Sequence, residues 1–336
     1  MKLPELNVDY GNLYTMFFSP IRLKLLLTGI ELKIFNHLTN PTSAEDVAQK
    51  INTHSNNTKI LLNGLAAIDL VNKKNNLYQN TPVAQTFLVE DNQTYLGQLL
   101  VFMATSEPEL ENLTKLVKEG PPKKLKQPPF SEDLLTKTAE MMANIEVAGD
   151  AQQLLQIVSE LPEYNKFKKM LDLGGGPGLI GLTIVNSHPT LKGVIFDLPP
   201  VVRVAKTYIK KYRMEKRMTT LGGDFNHDLI GEGYDLIITS NCLQFSQELD
   251  PVIKKIYNAL NLGGVFISMS GFGKTNEGTK PENLVLGLVP RALLGQETKI
   301  NHGDIANSML HNGFKSVHSR TINSSWGPME LDIARK

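Results

Sequence analysis

The run Lys169-Met-Leu-Asp-Leu173 has the pattern of a buried strand, and it opens directly into Gly174-Gly-Gly-Pro-Gly178. A second apolar run, Lys192-Gly-Val-Ile-Phe-Asp197, ends in a carboxylate. No other feature constrains the fold as strongly. Glycines let the backbone approach a ligand with no Cβ in the way, and an acid at the tip of the next strand is placed to accept hydrogen bonds from ribose hydroxyls. The pattern predicts a sheet that holds a nucleoside-bearing cofactor at the carboxyl ends of its strands.

From residue 166 onward strand and helix patterns alternate. Strands are predicted over 169–173, 193–197, 218–221, 234–239 and 263–269, then as a pair near 315–321 and 328–334. Helices are predicted over 178–187, 200–213, 248–260 and 303–312. Such alternation implies an α/β, doubly wound, Rossmann-like sheet covered by helices on both faces. It is mostly parallel, with an antiparallel last strand formed by Gly327-Pro-Met-Glu-Leu-Asp-Ile-Ala-Arg-Lys336.

The N-terminal part reads as helices followed by a hairpin. Apolar residues from Pro20 to Phe35 fall near helical spacing, Thr42 and Glu45 have the form of a capping box, and Asn56-Asn-Thr58 is placed to cap a further helix. Leu70-Val71 and Leu77-Tyr78 then flank the turn-rich Asn72-Lys-Lys-Asn-Asn76. Helices with a two-stranded wing suggest a winged helix, a shape that also binds DNA. The candidate recognition helix offers Lys59 and Asn63 but is otherwise Ile60, Leu61, Leu62, Leu65, Ala66, Ala67 and Ile68, which suits a core or a subunit interface. The proline-rich seam at 119–130 is expected to be a loop whose lysines face water. A helical stretch follows over 133–160, in which Met141-Met142 is suited to line a pocket for a flat apolar ligand. The expected organisation is a winged-helix domain over 1–100, linker and pocket helices over 101–165, and the sheet domain over 166–336.

Composition sets the outer limits. A chain of 336 residues exceeds one ordinary core. A net charge of +1 suggests no polyanion partner, so no nucleic acid is expected. The single cysteine, Cys242, excludes a disulfide framework and a cysteine-based zinc site, and no metal is expected. The segment Met1-Lys-Leu-Pro-Glu-Leu-Asn7 lacks an apolar signal core, and no stretch reads as a membrane span, so a cytoplasmic setting without membrane attachment is expected.

Two cofactor classes compete for the glycine loop. Gly176-Pro-Gly178-Leu-Ile-Gly181 literally satisfies G-x-G-x-x-G, with Asp197 at a suitable remove, which would suit a nicotinamide dinucleotide and an oxidoreductase. Three features favour S-adenosylmethionine instead. Asp172 precedes the first glycine, Gly222-Gly-Asp224-Phe225 closes the third strand with an acid and a ring suited to adenine, and the terminal strand leaves no room for a substrate domain after the sheet.

With these motifs in their order, the chain resembles the class I S-adenosylmethionine-dependent O-methyltransferases that carry an N-terminal winged-helix dimerisation domain. That family includes hydroxyindole, plant phenolic and bacterial small-molecule enzymes. The resemblance covers nearly the whole chain and also rests on Gly29-Ile-Glu-Leu-Lys-Ile-Phe35, Leu61-Leu-Asn-Gly-Leu65, Tyr78-Gln-Asn-Thr-Pro-Val-Ala84, Phe196-Asp-Leu-Pro199 and Leu262-Gly-Gly264. It implies a homodimer acting on a small-molecule acceptor. It implies that Gly174, Gly176 and Gly178 make room for the methionine and ribose portions of the donor. Asp197 would hold the ribose hydroxyls with Leu198 beside it, Asp224 and Phe225 would contact adenine, and Ser240 would lie near the sulfonium. The acceptor pocket is expected to be lined by Met142, Asn241 and Phe245 together with the loop around 272–300, which is either a mobile lid or an ordinary long connection.

The chain departs from the family where a histidine base is expected. Thr239-Ser-Asn-Cys-Leu-Gln-Phe-Ser-Gln-Glu248 carries Gln244 at that position, and Ile267-Ser-Met-Ser-Gly271 lacks the supporting acid, although Glu297 lies near a second one. Glutamine can orient an acceptor but cannot take its proton near neutral pH. Three accounts stay open. The acceptor is already a good nucleophile, so proximity and orientation suffice; another group, His302, His227 or Asp304, serves as base; or the protein binds the donor for regulation without transferring methyl.

Overall fold

The computed structural model describes residues 7–105, 113–121, 131–271, 293, 300–324 and 327–336. Most of the proline- and lysine-rich seam lies outside these residues, as do Glu297 and nearly all of the expected lid over 272–300. The chain divides into two units, Met1–Glu107 and Pro108–Lys336.

In the first unit, helix α1 (Gly11–Glu31) leads to a 3₁₀ turn at Ile34–His37 and a short strand β1 (Thr42–Ser43). Helix α2 (Ala44–Lys50) is capped by Ser43, whose Oγ accepts from Asp46 N at 3.1 Å. The cap sits one residue later than the Thr42–Glu45 spacing predicts. Thr42 is committed to pairing with Tyr78, and its hydroxyl donates to Asn40 O at 2.8 Å. Helix α3 (Ser55–Ala67) is likewise capped before the expected asparagines, by His54 Nδ1 accepting from Asn57 N at 3.3 Å. Strands β2 (Val71–Lys74) and β3 (Leu77–Asn80) form the wing and complete a small sheet in the order β1-β3-β2. Its turn is only Asn75-Asn76, with φ of 50° and 60°, a left-handed conformation that asparagine tolerates and a two-residue hairpin requires.

Leu62 and Leu65 of α3 are fully buried against Ile34, Phe35, Val47 and Tyr78, whereas Ile60 is 61% exposed. One face of α3 therefore builds this core. Two short helices follow, α4 (Pro82–Phe87) and α5 (Gly97–Thr105). Along α1 only Gly29 and Ile30 are buried, and Tyr14, Met16, Phe17 and Phe18 are exposed on the single chain. By length and composition alone, α1 is apolar enough to cross a membrane, which differs from the sequence expectation. It carries Pro20, Arg22 and Lys24 within that length.

In the second unit, α6 (Leu113–Glu119) and α7 (Glu132–Ile145) precede a π-helical turn at Glu146–Asp150 and α8 (Ala151–Ser159). The main sheet then alternates with helices: β4 (Lys169–Leu173), α9 (Leu179–Ser187), β5 (Lys192–Asp197), α10 (Pro199–Lys211), β6 (Met218–Gly222), β7 (Tyr234–Ser240), α11 (Leu249–Ala259) and β8 (Leu260–Gly271). Helix α12 (Asp304–His311), β9 (Ser316–Ser324) and β10 (Gly327–Arg335) complete it. The strand order is β6-β5-β4-β7-β8-β10-β9, with β10 antiparallel to both neighbours. Strand β8 begins earlier than predicted because it follows α11 directly, and its pairing with β7 is irregular where Gly263 turns with φ 76°.

Side chains alternate between two cores. Met170, Ile195, Ile238, Ile267 and Leu331 face Leu154 and Val158 of α8 and Leu182 and Val185 of α9. Leu171, Ile237 and Phe266 face Val252, Ile253 and Ile256 of α11 and Met309 of α12. Burial on both faces is what parallel strands require, and it fixes their carboxyl ends as one rigid edge.

Candidate active site

Strand order brings the ends of β6, β5, β4 and β7 side by side. The glycine loop folds over the tip of β5, with Gly174 N and Gly175 N donating to Phe196 O at 2.8 and 3.1 Å. Position 174 admits no side chain, because φ is 66° and a Cβ would stand 2.5 Å from the Cβ of Cys242. Gly176 and Gly178 also have positive φ. Cys242 is buried, and its thiol donates to Leu173 O at 3.1 Å, which ties the segment after β7 to the end of β4.

Asp197 lies half-buried at the crevice. Its Oδ2 accepts from Gly176 N at 2.8 Å and its Oδ1 from Leu198 N at 2.7 Å. Burial raises its carboxyl above the ordinary value, with these two N–H groups opposing. Leu198 packs near Ala139, Val201 and Val204, where α7 meets α10. Next to this tip, Gly223 N donates to Asp197 O at 3.0 Å, so Asp224 follows closely. Asp224 Oδ1 accepts from both N and Nδ2 of Asn226 at 2.9 Å, and Asn226 Oδ1 in turn accepts from Gln247 N at 2.8 Å. Phe225 is buried in the same core cluster as Leu173, Phe196 and Leu243.

Ser240 ends β7, and Asn241 follows with φ 51°, its Oδ1 accepting from Gly271 N at 2.9 Å. Gln244 and Phe245 occupy an exposed 3₁₀ turn, and Phe245 is 63% exposed. Met142 is half-buried on α7. Of the other candidate bases, exposed His227 has Nε2 at 3.0 Å from Gln247 Nε2. Asp304 caps its own turn, accepting from Asn301 N at 2.7 Å. His302 Nε2 stands 3.7 Å from Oε1 of the buried Glu330, whose carboxylate also accepts from Gly303 N at 3.0 Å. Thus the structure gathers the glycines, Asp197, Leu198, Asp224, Ser240 and Asn241 at one strand edge. His302 and Asp304 stand at the start of α12, beside β10.

Two acids that the motif reading did not assign to the site shape its charge. Asp172 is wedged under the loop, with Oδ2 accepting from Gly181 N at 3.0 Å; a Cβ on Gly181 would come within 2.8 Å of that oxygen. Glu146 Oε2 accepts from Leu179 N at 2.8 Å and Ile180 N at 3.1 Å. The first three N–H groups of α9 are therefore filled by carboxylates of the chain itself. A dinucleotide would place its pyrophosphate on just these groups. Burial pushes Asp172 up to about 7, against the Gly181 N–H and with help from the Asp197 charge. Burial, and then the nearby Asp172, also raise Glu146 well above the carboxylate range. Among the described residues no Lys, Arg or His is ion-paired with Glu146, Asp172 or Asp197. This crevice disfavours an anion and suits a cation. A sequence signal existed for Asp172, the acid before the first glycine, but Glu146 lies 33 residues before its partner Leu179 and had none.

An O-methyltransferase domain model matches residues 132–301, and an O-methyltransferase dimerisation domain model matches residues 15–90. An uncharacterized protein of Methanocaldococcus jannaschii is 29% identical over 322 residues, spanning 90% of this chain and 84% of its own. The N,N-dimethyltransferase OxyT of Streptomyces rimosus is 26% identical over 263 residues, 73% of each chain. Among solved structures, human N-acetylserotonin methyltransferase in complex with S-adenosylmethionine matches with a TM-score of 0.78 at 20% identity, over 99% of both chains.

Proposed function

The chain belongs to the O-methyltransferase family and is an S-adenosylmethionine-dependent methyltransferase, and we propose that it methylates a small, flat apolar or aromatic molecule at an atom that is already nucleophilic. The observation that carries the donor site is the pair of buried carboxylates, Glu146 and Asp172, closing the start of α9 to an anion. Such a crevice fits a positively charged donor better than a pyrophosphate. In this reading the glycines at 174, 176 and 178 let the donor lie on the loop. Asp197, which already takes one N–H at each oxygen, keeps lone pairs for the ribose hydroxyls, and Asp224 borders the purine. When bound, the donor supplies a methyl group on a cationic sulfur.

The acceptor side follows from Gln244. A phenol with a pKa of about 10 stays protonated near neutral pH and benefits from a positioned base. Gln244 offers only hydrogen bonds, so its role is to orient the acceptor, with Met142, Asn241 and Phe245 lining the pocket. Amines that are neutral at the working pH, thiolates, ionised acidic enols and stabilised carbanions need no more than proximity and alignment. The relative named as an N,N-dimethyltransferase supports an acceptor atom other than a phenol oxygen. His302, braced by Glu330, is the group we assign where a proton must still be removed. The first unit serves as the dimerisation domain of a homodimer, and the cytoplasmic setting expected from the sequence is part of this reading.

Calorimetry with S-adenosylmethionine and its demethylated product, followed by transfer assays against amine, thiol, enol and phenol panels, tests these points. Binding of both, with transfer to the first three classes, is expected. Binding without any transfer would favour a donor-binding regulatory protein. Binding of NADH and of neither adenosyl ligand would overturn the methyltransferase reading.

A further inference from the structure

Glu146 is 9% exposed, yet only one of its oxygens is used by the chain. Oε2 takes both N–H groups at the start of α9. Oε1 receives no hydrogen bond among the described residues, and it lies 3.6 Å from the point where a Cβ on Gly176 would stand. An oxygen of this largely buried residue therefore faces the loop at Gly176, where φ is 54° and a Cβ would touch it. Among the described residues, the charged groups that act on it are acids: Asp150 in its own turn and Asp172 on β4, with Asp197 on β5 beyond Asp172. Two neighbouring buried carboxyls cannot both carry their charge unless a cation joins them, and without one they are driven towards the protonated form.

We propose that Glu146 receives the α-ammonium of the methionine portion of the donor, so that the amino-acid end of the cofactor is anchored to the start of α9. The inference rests on the donor-site reading above. A primary ammonium has three N–H donors, which matches an acceptor-only carboxylate with a free oxygen. Burial and the neighbouring Asp172 push Glu146 towards its neutral form, and an ammonium in contact would draw it back to the charged form. The chain thereby selects for an intact amino-acid tail by a group that lies outside the glycine motif.

The experiment compares two ligands on the full-length protein by calorimetry at pH 8. S-adenosylhomocysteine carries the ammonium, and 5′-methylthioadenosine has the same nucleoside without the amino-acid tail. Glu146→Gln keeps an oxygen for Leu179 N and Ile180 N but removes the charge. We expect it to weaken S-adenosylhomocysteine binding about tenfold or more, the scale of a charge-assisted hydrogen bond, and to change 5′-methylthioadenosine binding less than about twofold. Equal losses for both ligands, or no loss for either, would overturn the assignment. Should the variant fail to fold, wild-type protein is titrated with the desamino analogue of S-adenosylhomocysteine. Binding about tenfold weaker than the parent is expected there, and equal binding refutes the ammonium seat. If wild-type protein binds neither S-adenosylhomocysteine nor 5′-methylthioadenosine, the donor site itself falls, and this inference with it.

Discussion

Asp197 Oδ2 and Gly176 N are joined at 2.8 Å, so the acid at the tip of β5 holds the crest of the loop that follows β4. The same carboxylate that pins the loop is the one proposed to hold the ribose hydroxyls. Asp197→Ala should weaken S-adenosylhomocysteine binding about 30-fold or more, since bonds to a charged group contribute about 1.5–3 kcal/mol each. Titration calorimetry reads this directly, and affinity within threefold of wild type would remove Asp197 from the site.

Gly174→Ala places a Cβ at 2.5 Å from the Cβ of Cys242 and forces a side chain into φ 66°. Strain of this kind costs about 1–3 kcal/mol. Adding Cys242→Ala should give no rescue, because the clash is with a Cβ that alanine retains. Cys242→Gly should recover part of the loss. Denaturant unfolding of the three variants measures it, and rescue by Cys242→Ala would show that the thiol rather than the backbone approach sets the limit.

The raised carboxyl of Asp172, at about 7, makes a pH signature. An acid raised on folding stabilises the native chain while protonated. Its contribution is complete below the ordinary value near 4 and is lost as pH rises through about 7. Asp172→Asn keeps an acceptor for Gly181 N and cannot ionise. Without ligand, its stability relative to wild type should therefore rise between pH 5 and pH 8, by an amount on the order of a few kcal/mol. Thermal unfolding at the two pH values tests this, and a difference independent of pH would contradict it.

Gln244→Ala removes an exposed hydrogen-bonding side chain. With an orienting role the expected loss in kcat/KM is about three- to tenfold, the worth of one neutral hydrogen bond. A drop of several orders of magnitude would mean that Gln244 does more than orient.

The exposed aromatic face of α1 should be covered by a second copy of the chain, in keeping with the dimerisation model over residues 15–90. Sedimentation should give a dimer for the wild type, and Phe17→Glu, at a side chain 75% exposed in the single chain, should shift it towards monomer. A wild-type monomer would refute this assignment.

The centre of the sheet was legible in the sequence because β4, β5, β7 and β8 are mostly buried and read as largely apolar runs. The positions of Asp197 at the tip of β5 and of glycines in the turn after β4 were legible because an acid closing an apolar run and a glycine cluster mark a strand end. Caps were less so: Ser43 and Thr42 are adjacent residues of like chemistry, and only the pairing of Thr42 with Tyr78 decides between them. Glu146 was not legible, since its role arises when a π-helical turn folds back onto a helix that begins much later in the chain. Whether Phe225 offers a face to a purine was also beyond a motif, because that depends on how tightly Leu173, Phe196 and Leu243 close around it.

Strand β9 touches the main sheet only through β10, which enters between it and β8. On a ribosome, β9 therefore emerges with its backbone donors and acceptors unmatched and must wait for the segment made after it before it can dock. During that interval β8 is an open border whose natural occupant has yet to be synthesised. Nascent chains stalled there are the species from which intermolecular strand exchange would start.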